Sequence, residues 1–283
     1  MFNYRADRLP ITIITLFFAL DVGVVVMVYN PWILVTWAVL GILPKVCVCA
    51  WNHHHQHVST FKRPVFNGLL EVMYSFQTGA LPSTWVMHHN IGHHVNYMNQ
   101  SKDESRWQKP DGTTMGTHEY SVHNVVWAYP RMWAVGKRYK KHLKRFIRWT
   151  VVVVSILALA VWWNWLGALV IIVVPMATSL YATVWHTYYH HSGLTSTSSY
   201  EASYNIIHKG YNLFMGNLGY HTAHHHKQGV HWSELPALHA KIEAKIPVEC
   251  YRAPSIPFKW LGPTAYIPVP QNQTKDTRSR QSA

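Results

Sequence analysis

The chain has 283 residues, of which 13% are charged and 14% are aromatic, and its formal net charge is +13. Typical soluble domains contain about 25% charged residues, whereas Trp and Tyr, present here 14 and 16 times, are enriched at membrane interfaces. Three cysteines provide no disulfide framework, which excludes a disulfide-stapled secreted domain. The positive charge favours an anionic partner, such as a nucleic acid, a lipid surface or an acidic protein.

Four apolar stretches are long enough to cross a bilayer as helices, at about 11–29, 32–51, 147–163 and 166–185. Asn30 and Pro31 alone separate the first two, and Asn164 and Trp165 separate the last two. Such short breaks predict two tight helical hairpins. The alternative is a soluble protein with buried core helices, but Trp at several ends of the stretches favours spanning.

The distribution of basic residues predicts the orientation of these spans. None of the 25 Lys and Arg residues lies in either short turn. The positive-inside rule therefore places both termini and the central segment 52–148 in the cytoplasm, as in a bacterial inner-membrane protein. Asp21 lies inside the first span, where a charge is costly, so we expect it to face other helices and to form a structural hydrogen bond.

The segments outside the spans carry one interrupted stretch and one basic run. Residues 65–87 are apolar but contain Gly68, Gly79 and Pro82, which predicts an interfacial or re-entrant piece rather than a fifth span. The run KRYKKHLKRFIR at 137–148 holds seven Lys or Arg. It either anchors the chain on anionic headgroups or docks an acidic partner, and the candidate docking residues are Lys140, Lys141, Lys144 and Arg145. We predict one domain over 1–267 and a disordered tail at 268–283.

Fifteen of the 21 histidines fall in four clusters, each next to a predicted span or between two spans. In NHHHQH, at 52–57, His53 and His57 are four residues apart and would share one face of a helix. In HHNIGHH, at 88–94, His89 and His93 repeat this spacing and His94 adds a third ring. WHTYYHHSG, at 185–193, offers His186, His190 and His191, and GYHTAHHH, at 219–226, offers His221, His224 and His225.

These clusters point to metal binding, because imidazole nitrogen suits iron, zinc, copper and nickel. The clusters contain no Cys and no HExxH motif, which argues against structural zinc and against a zincin protease. Counting one face per cluster gives nine rings, too many for one ion of four to six ligands and suited to two. A histidine-only pair of metals beside membrane helices predicts redox-active iron that uses O2 to attack an alkyl chain. A metal transporter or sensor, the rival class, would instead place its ligands along a path within the bilayer.

The set of clusters resembles the three histidine boxes of the membrane-bound fatty acid desaturase family. His53-xxx-His57 is similar to the first box, His89-xxx-His93-His94 to the second, and His221-xx-His224-His225, within NLGYHTAHHHKQGVHWSELPALH, to the third. YYHHSG is similar to a stretch Asn-Tyr-x-Gln-His-x-Gly of bacterial members, which would make His191 the ninth ligand. Thr187 and His190 stand where that stretch has Asn and Gln, so His186 and His190 remain alternatives. The resemblance covers about residues 10–250.

The resemblance implies an all-α integral membrane protein, with four transmembrane helices in two hairpins and a cytoplasmic helical cap that carries the boxes. It implies a non-heme di-iron centre held by His53, His57, His89, His93, His94, His191, His221, His224 and His225. Ligating histidines are usually oriented by further polar groups, for which the candidates are Asp103, Glu104, Asn217, Glu234 and His190.

The implied reaction is O2-dependent desaturation of a fatty acyl chain carried by CoA, an acyl carrier protein or a lipid. Variants of this chemistry form a triple bond or a terminal alkene. The alternative on the same scaffold is a hydroxylase or ketolase that acts on an alkyl chain or a carotenoid. No dinucleotide-binding motif or haem domain is evident in the sequence, so we expect a separate electron donor, such as a ferredoxin or a cytochrome with its reductase, and no nucleic acid partner.

Overall fold

The computed structural model describes residues 1–260 and Pro268. Within these residues the regular secondary structure is helical, and extended pairing is confined to isolated bridges such as Phe2 with Phe61. The chain divides into two compact units, Met1–Gly193 and Leu194–Ala283. The tail predicted to be disordered lies, apart from Pro268, outside the described residues.

The first unit contains seven α-helices and two π-helical segments. The α-helices are α1 Arg8–Met27, α2 Pro31–His57, α3 Pro64–Thr78, α4 Thr117–Arg138, α5 Lys140–Trp163, α6 Trp165–Ala168 and α7 Val174–His191. One π-helix, Val86–His93, lies between α3 and α4, and the other, Leu169–Val173, joins α6 to α7. The second unit contains the short helices α8 Lys209–Phe214, α9 His221–His226 and α10 Leu235–Ile242.

Four helical segments are long and apolar enough to cross a membrane, which confirms the predicted number of spans. They are Arg5–Met27, Pro31–His57, Lys140–Trp163 and Trp165–His191. Each of them extends at one end several residues beyond the apolar stretch seen in the sequence. Consequently the first histidine cluster lies on the last turns of α2, the basic run extends into α5, and His190 and His191 end α7.

Two asparagines form the breaks between the spans. Oδ1 of Asn30 accepts hydrogen bonds from the backbone N–H groups of Trp32 and Ile33 and so caps α2. Oδ1 of Asn164 caps α6 through Gly167, while its Nδ2 donates to the carbonyl oxygens of Val25 and Val28 at the end of α1, both over 2.9 Å. Asn164 thereby ties the break before α6 to the end of the first span.

Asp21, expected to form a structural hydrogen bond, lies in a buried polar network inside the spans. Its Oδ1 accepts from Nε1 of Trp37 over 2.8 Å, and its Oδ2 lies 3.0 Å from Nζ of Lys45. Lys45 also donates to the carbonyl oxygen of Ile171 over 2.9 Å, within the π-helix Leu169–Val173. The ion pair therefore joins the first two spans, with its charges compensating each other away from water, and the hydrogen bond from Lys45 adds a third span.

Most of the interrupted stretch 65–87 folds into α3. The helix ends at Gly79, whose φ of +71° is the left-handed conformation that glycine adopts without penalty. A Cβ at this position would lie 2.2 Å from the carbonyl oxygen of Met176, so glycine also permits the close approach of α7. The turn that follows leads into the π-helix of the second histidine cluster.

Candidate metal centre

The last turns of α2 present the first pair of predicted ligands. His53 and His57 are one helical turn apart, as their spacing predicts, and their ring centroids lie 4.7 Å from each other. His53 is buried and His57 is partly buried. Polar side chains at the end of a membrane-length helix are thus directed into the protein rather than into solvent.

The π-helix Val86–His93 presents the second cluster and adds one pairing that the sequence did not predict. His89 and His93, four residues apart, share one face as their spacing predicts, with ring centroids 5.1 Å apart and an interplanar angle of 27°. In the structure the backbone N–H of His94 donates to the carbonyl oxygen of His89 over 2.8 Å, a bond that spans five residues. His89 and His94 therefore face each other, with their Nε2 atoms 3.0 Å apart.

Four of these rings converge on one region. Nε2 of His53 lies 2.8 Å from Nε2 of His89, and one ring nitrogen each from His53, His57, His89 and His94 lie within 4.8 Å of one another. We call these four residues the first histidine group. It joins α2 to the π-helix, and it contains part of the second histidine box but not all of it.

His93 pairs with His191, and we call these two residues the second histidine group. Nε2 of His93 lies 3.3 Å from Nε2 of His191, at the end of α7. Nδ1 of His93 lies 2.8 Å from Oδ1 of Asp103, which also accepts from the backbone N–H of Ser105. Among the three candidates in the α7 cluster, His191 thus faces His93, His190 is also buried, and His186 packs its ring against Trp185.

The distances between these nitrogens fit a bound metal ion. An imidazole nitrogen binds such ions at about 2.1 Å, so two neighbouring ligands at a right angle are about 3.0 Å apart. The separations of 2.8 to 3.3 Å among the paired Nε2 atoms agree with this value. The donor set is entirely imidazole, which suits iron and other late first-row metals.

The electrostatic state of the rings also fits metal binding. Burial away from water, reinforced by the neighbouring imidazoles, holds the pKa values of His89 and His94 well below the usual range. Both rings are therefore neutral at physiological pH, and neutral imidazole is the form that binds a metal ion.

The third cluster lies in the second unit, on α9. His221, His224 and His225 are all buried, and their ring centroids are 4.8 to 5.6 Å apart. Thr222 anchors the helix, because Asn205 accepts a hydrogen bond from its backbone N–H and donates one to its hydroxyl. His226 turns away from this set and stacks on Tyr200.

The other predicted site residues differ in their exposure and in their hydrogen-bond partners. Glu104 lies near Arg106, and burial raises its pKa. Asn217 has a φ of +61° and donates to the carbonyl oxygen of Trp232, whereas Glu234 is exposed. Among the candidate docking residues, Lys140, Lys141 and Lys144 are exposed, but Arg145 binds the carboxylate of Glu71.

Glu71 was not singled out from the sequence. Burial opposes its negative charge, but hydrogen bonds to His55 and Arg145 outweigh that effect and lower its pKa. The available signal in the sequence was that Glu71 is the single charged residue of α3.

A cavity lies beside the first histidine group. His89 forms part of its wall together with Trp85, Tyr120 and Ala128. On the side of α7 the wall is formed by Leu180, Val184 and Thr187. Polar residues also line the cavity, namely Thr84, His88, Ser105, Asn124 and Thr183. The surface that the wall exposes is nevertheless mostly apolar, which suits an alkyl chain better than a polar substrate.

Comparison with known protein families supports a metal-dependent enzyme with these histidine clusters. The family described as fatty acid desaturase matches residues 29–253, a range that includes all four histidine clusters. No individual curated protein and no solved structure matches the chain. The family match covers most of the sequence, and the candidate spans and the histidine groups agree with it. The chain therefore belongs to the fatty acid desaturase family and is an oxidoreductase.

Proposed function

We propose that the chain is a membrane-bound acyl desaturase that uses O2 and a histidine-ligated di-iron centre. The observation that carries the proposal is the pair of histidine groups, one of which borders an apolar cavity. In the reaction, R–CH2–CH2–R′ loses two hydrogen atoms to give R–CH=CH–R′. O2 takes up these two hydrogens together with two electrons and two protons, and two molecules of water form.

Two iron ions, when bound, would supply the oxidising power with O2 to break an unactivated C–H bond. We propose that the six imidazoles of the first and second histidine groups bind them together with His221, His224 and His225. The number of ligands supports this assignment. Two ions with at least four ligands each need eight or more, and six rings alone are too few.

The protein's own side chains then orient the substrate and exclude water. The apolar wall of the cavity, including Ala128, Leu180 and Val184, favours binding of methylene groups over water. His89 contributes to this wall and to the first histidine group, so a chain in the cavity lies next to the proposed centre. Asp103 holds the ring of His93 in one orientation.

We further propose that the spans form two hairpins and that the histidines face the cytoplasm, beneath a helical cap. The basic run at the start of α5 supports this orientation through the positive-inside rule. The two electrons would come from a separate acidic carrier, such as a ferredoxin or a cytochrome with its reductase. The exposed Lys140, Lys141 and Lys144 offer such a carrier a docking surface.

The test is mass spectrometry of acyl chains after expression together with an electron-transfer system. We expect products that are lighter by two hydrogens than the parent chain, and none in cells that express a His53→Ala/His89→Ala variant. Products with an added oxygen atom would indicate a hydroxylase or ketolase instead. Loss of four hydrogens or of the carboxyl carbon would identify the triple-bond or terminal-alkene variant, and unchanged lipids would refute the proposal.

A further inference from the structure

An ion pair between α3 and α5 contacts both segments that carry the first histidine group. The side chain of Glu71, on α3, is 6% exposed, and that of Arg145, on α5, is 32% exposed. Nη1 of Arg145 donates to Oε2 of Glu71, and Nη2 donates to Oε1 over 2.8 Å. This bidentate geometry is the strongest and most directional contact between a guanidinium and a carboxylate. It fixes α3 and α5 in one register.

Close packing one turn away sets the same register. A Cβ on Gly68 would lie 2.2 Å from the ring of Trp149, so only glycine lets the indole lie against α3. Gly68 precedes Glu71 by three residues, and Trp149 follows Arg145 by four, each about one helical turn. The Gly68–Trp149 contact therefore brings the acidic and the basic side chain opposite each other.

Glu71 also contacts the end of α2. Its Oε1 lies 3.5 Å from Nε2 of His55. Nδ1 of His55 accepts from the backbone N–H of Thr60 over 3.3 Å, so a neutral ring carries its proton on Nε2, on the side of Glu71. His55 lies between His53 and His57, and Glu71 thus restrains the turn of α2 that presents both of them.

Arg145 contacts the start of the other ligand-bearing segment. Its Nη1 donates to Oγ of Ser83 over 2.7 Å. Ser83 has a φ of +65°, a conformation that a residue other than glycine keeps only where its surroundings hold it. The carbonyl oxygen of Ser83 accepts from the N–H of Met87, so Ser83 determines where the helical segment with His89 and His94 begins.

We infer that Glu71 and Arg145 are positioning residues, which hold the α2 histidines and the π-helix histidines at the spacing that a metal ion requires. Arg145 contacts the π-helical segment directly through Ser83 and α2 through Glu71, so the pair connects both backbone segments of the first histidine group although neither residue belongs to that group. The inference rests on the metal centre of the proposed function. It assigns Arg145 to the site rather than to the docking surface of the three lysines.

The test is titration of the purified full chain in detergent with Co(II), whose visible absorption reports ligand number and geometry. Arg145→Gln removes the guanidinium group and with it the hydrogen bonds to Glu71 and Ser83. We expect its Co(II) affinity to fall by about 10-fold or more, with a shifted visible spectrum and an unchanged helical circular dichroism signal. Arg148→Gln is the matched control, because Arg148 is an exposed arginine one turn further along α5, and it should bind Co(II) like the wild type.

Ser83→Gly covers the case in which Arg145→Gln fails to fold. Glycine accepts the positive φ without strain, so this variant removes only the contact from Arg145 to the start of the π-helical segment. Weaker Co(II) binding with an altered spectrum supports the inference. Wild-type affinity and spectrum in the folded variants overturn it. A wild-type chain that binds no Co(II) would overturn the metal centre and the inference together, an outcome distinct from variants that bind normally.

Discussion

Nδ1 of His93 donates a hydrogen bond to Oδ1 of Asp103 over 2.8 Å, while Nε2 of the same ring lies 3.3 Å from Nε2 of His191. Both partners of the first contact are almost completely buried. Since the carboxylate accepts the proton-bearing side of the ring, Nε2 presents its lone pair toward His191. A buried acid thereby selects the tautomer of His93 that can bind a metal ion.

This relationship predicts the effect of Asp103→Asn. The amide can accept one hydrogen bond but carries no charge, so it orients and polarises the His93 ring less well. We expect metal affinity to fall by about 10- to 100-fold, measured by Co(II) titration of the purified chain. Asp111→Asn is the control, because Asp111 is exposed and bonds only within its own turn, to Thr113. Equal affinities in the two variants would contradict the role given to Asp103.

His224→Ala tests the ligands assigned to α9. Loss of one imidazole from a proposed set of nine should lower the iron content of the purified chain and abolish acyl product formation. Iron is measured by inductively coupled plasma mass spectrometry. His226→Ala removes a ring from the same short helix, but one that stacks on Tyr200, and it should keep its iron. Two irons per chain in the His224 variant would refute the assignment.

The ion pair inside the spans predicts a stability effect that is not additive. Lys45→Met leaves the carboxylate of Asp21 buried without its cation, and we expect a loss of about 3–5 kcal/mol in unfolding free energy. Asp21→Asn leaves the ammonium group of Lys45 buried without its anion. The double variant should recover much of the loss, because no uncompensated charge remains. Denaturant unfolding in detergent provides the double-mutant cycle, and additive losses would show that the two charges do not depend on each other.

The three exposed lysines at the start of α5 predict a salt-dependent interaction with the electron donor. Replacing Lys140, Lys141 and Lys144 by Gln should raise the KM for an acidic carrier by about 10-fold at low ionic strength. The difference should shrink at high salt, because solvent-exposed charges are screened. Lys209, Lys227 and Lys241, exposed lysines of the second unit, provide a variant with the same change in charge. An equal effect in both triple variants would argue against a docking surface.

Several features of the fold could be read from local sequence. The spans follow from apolar length, and the breaks between them follow from Asn30 and Asn164, whose side chains cap the next helix. The pairing of His53 with His57 follows from the geometry of an ordinary α-helix. Each of these depends on residues that are close in the chain.

The second histidine box shows where such reasoning ends. A spacing of four residues correctly places His89 beside His93, but it does not reveal that the π-helix also brings His94 opposite His89 or that His93 reaches His191. π-Helical segments are rare and occur frequently at functional sites, so a spacing read with α-helical geometry does not anticipate one. Arg145 is a second case, because nothing near it in sequence distinguishes it from the neighbouring lysines.

The sequence by itself determined the class of the protein: a helical membrane chain whose clustered imidazoles can bind metal. That much rests on composition, apolar length and the donor atoms of histidine, which are properties of the residues themselves. The tertiary structure alone decided which rings face each other, that Asp103 orients His93, that Lys45 neutralises Asp21, and that Glu71 and Arg145 brace α2 and the π-helix. These contacts join residues from 5 to 98 positions apart, and their energies depend on burial and distance, which only the folded chain fixes.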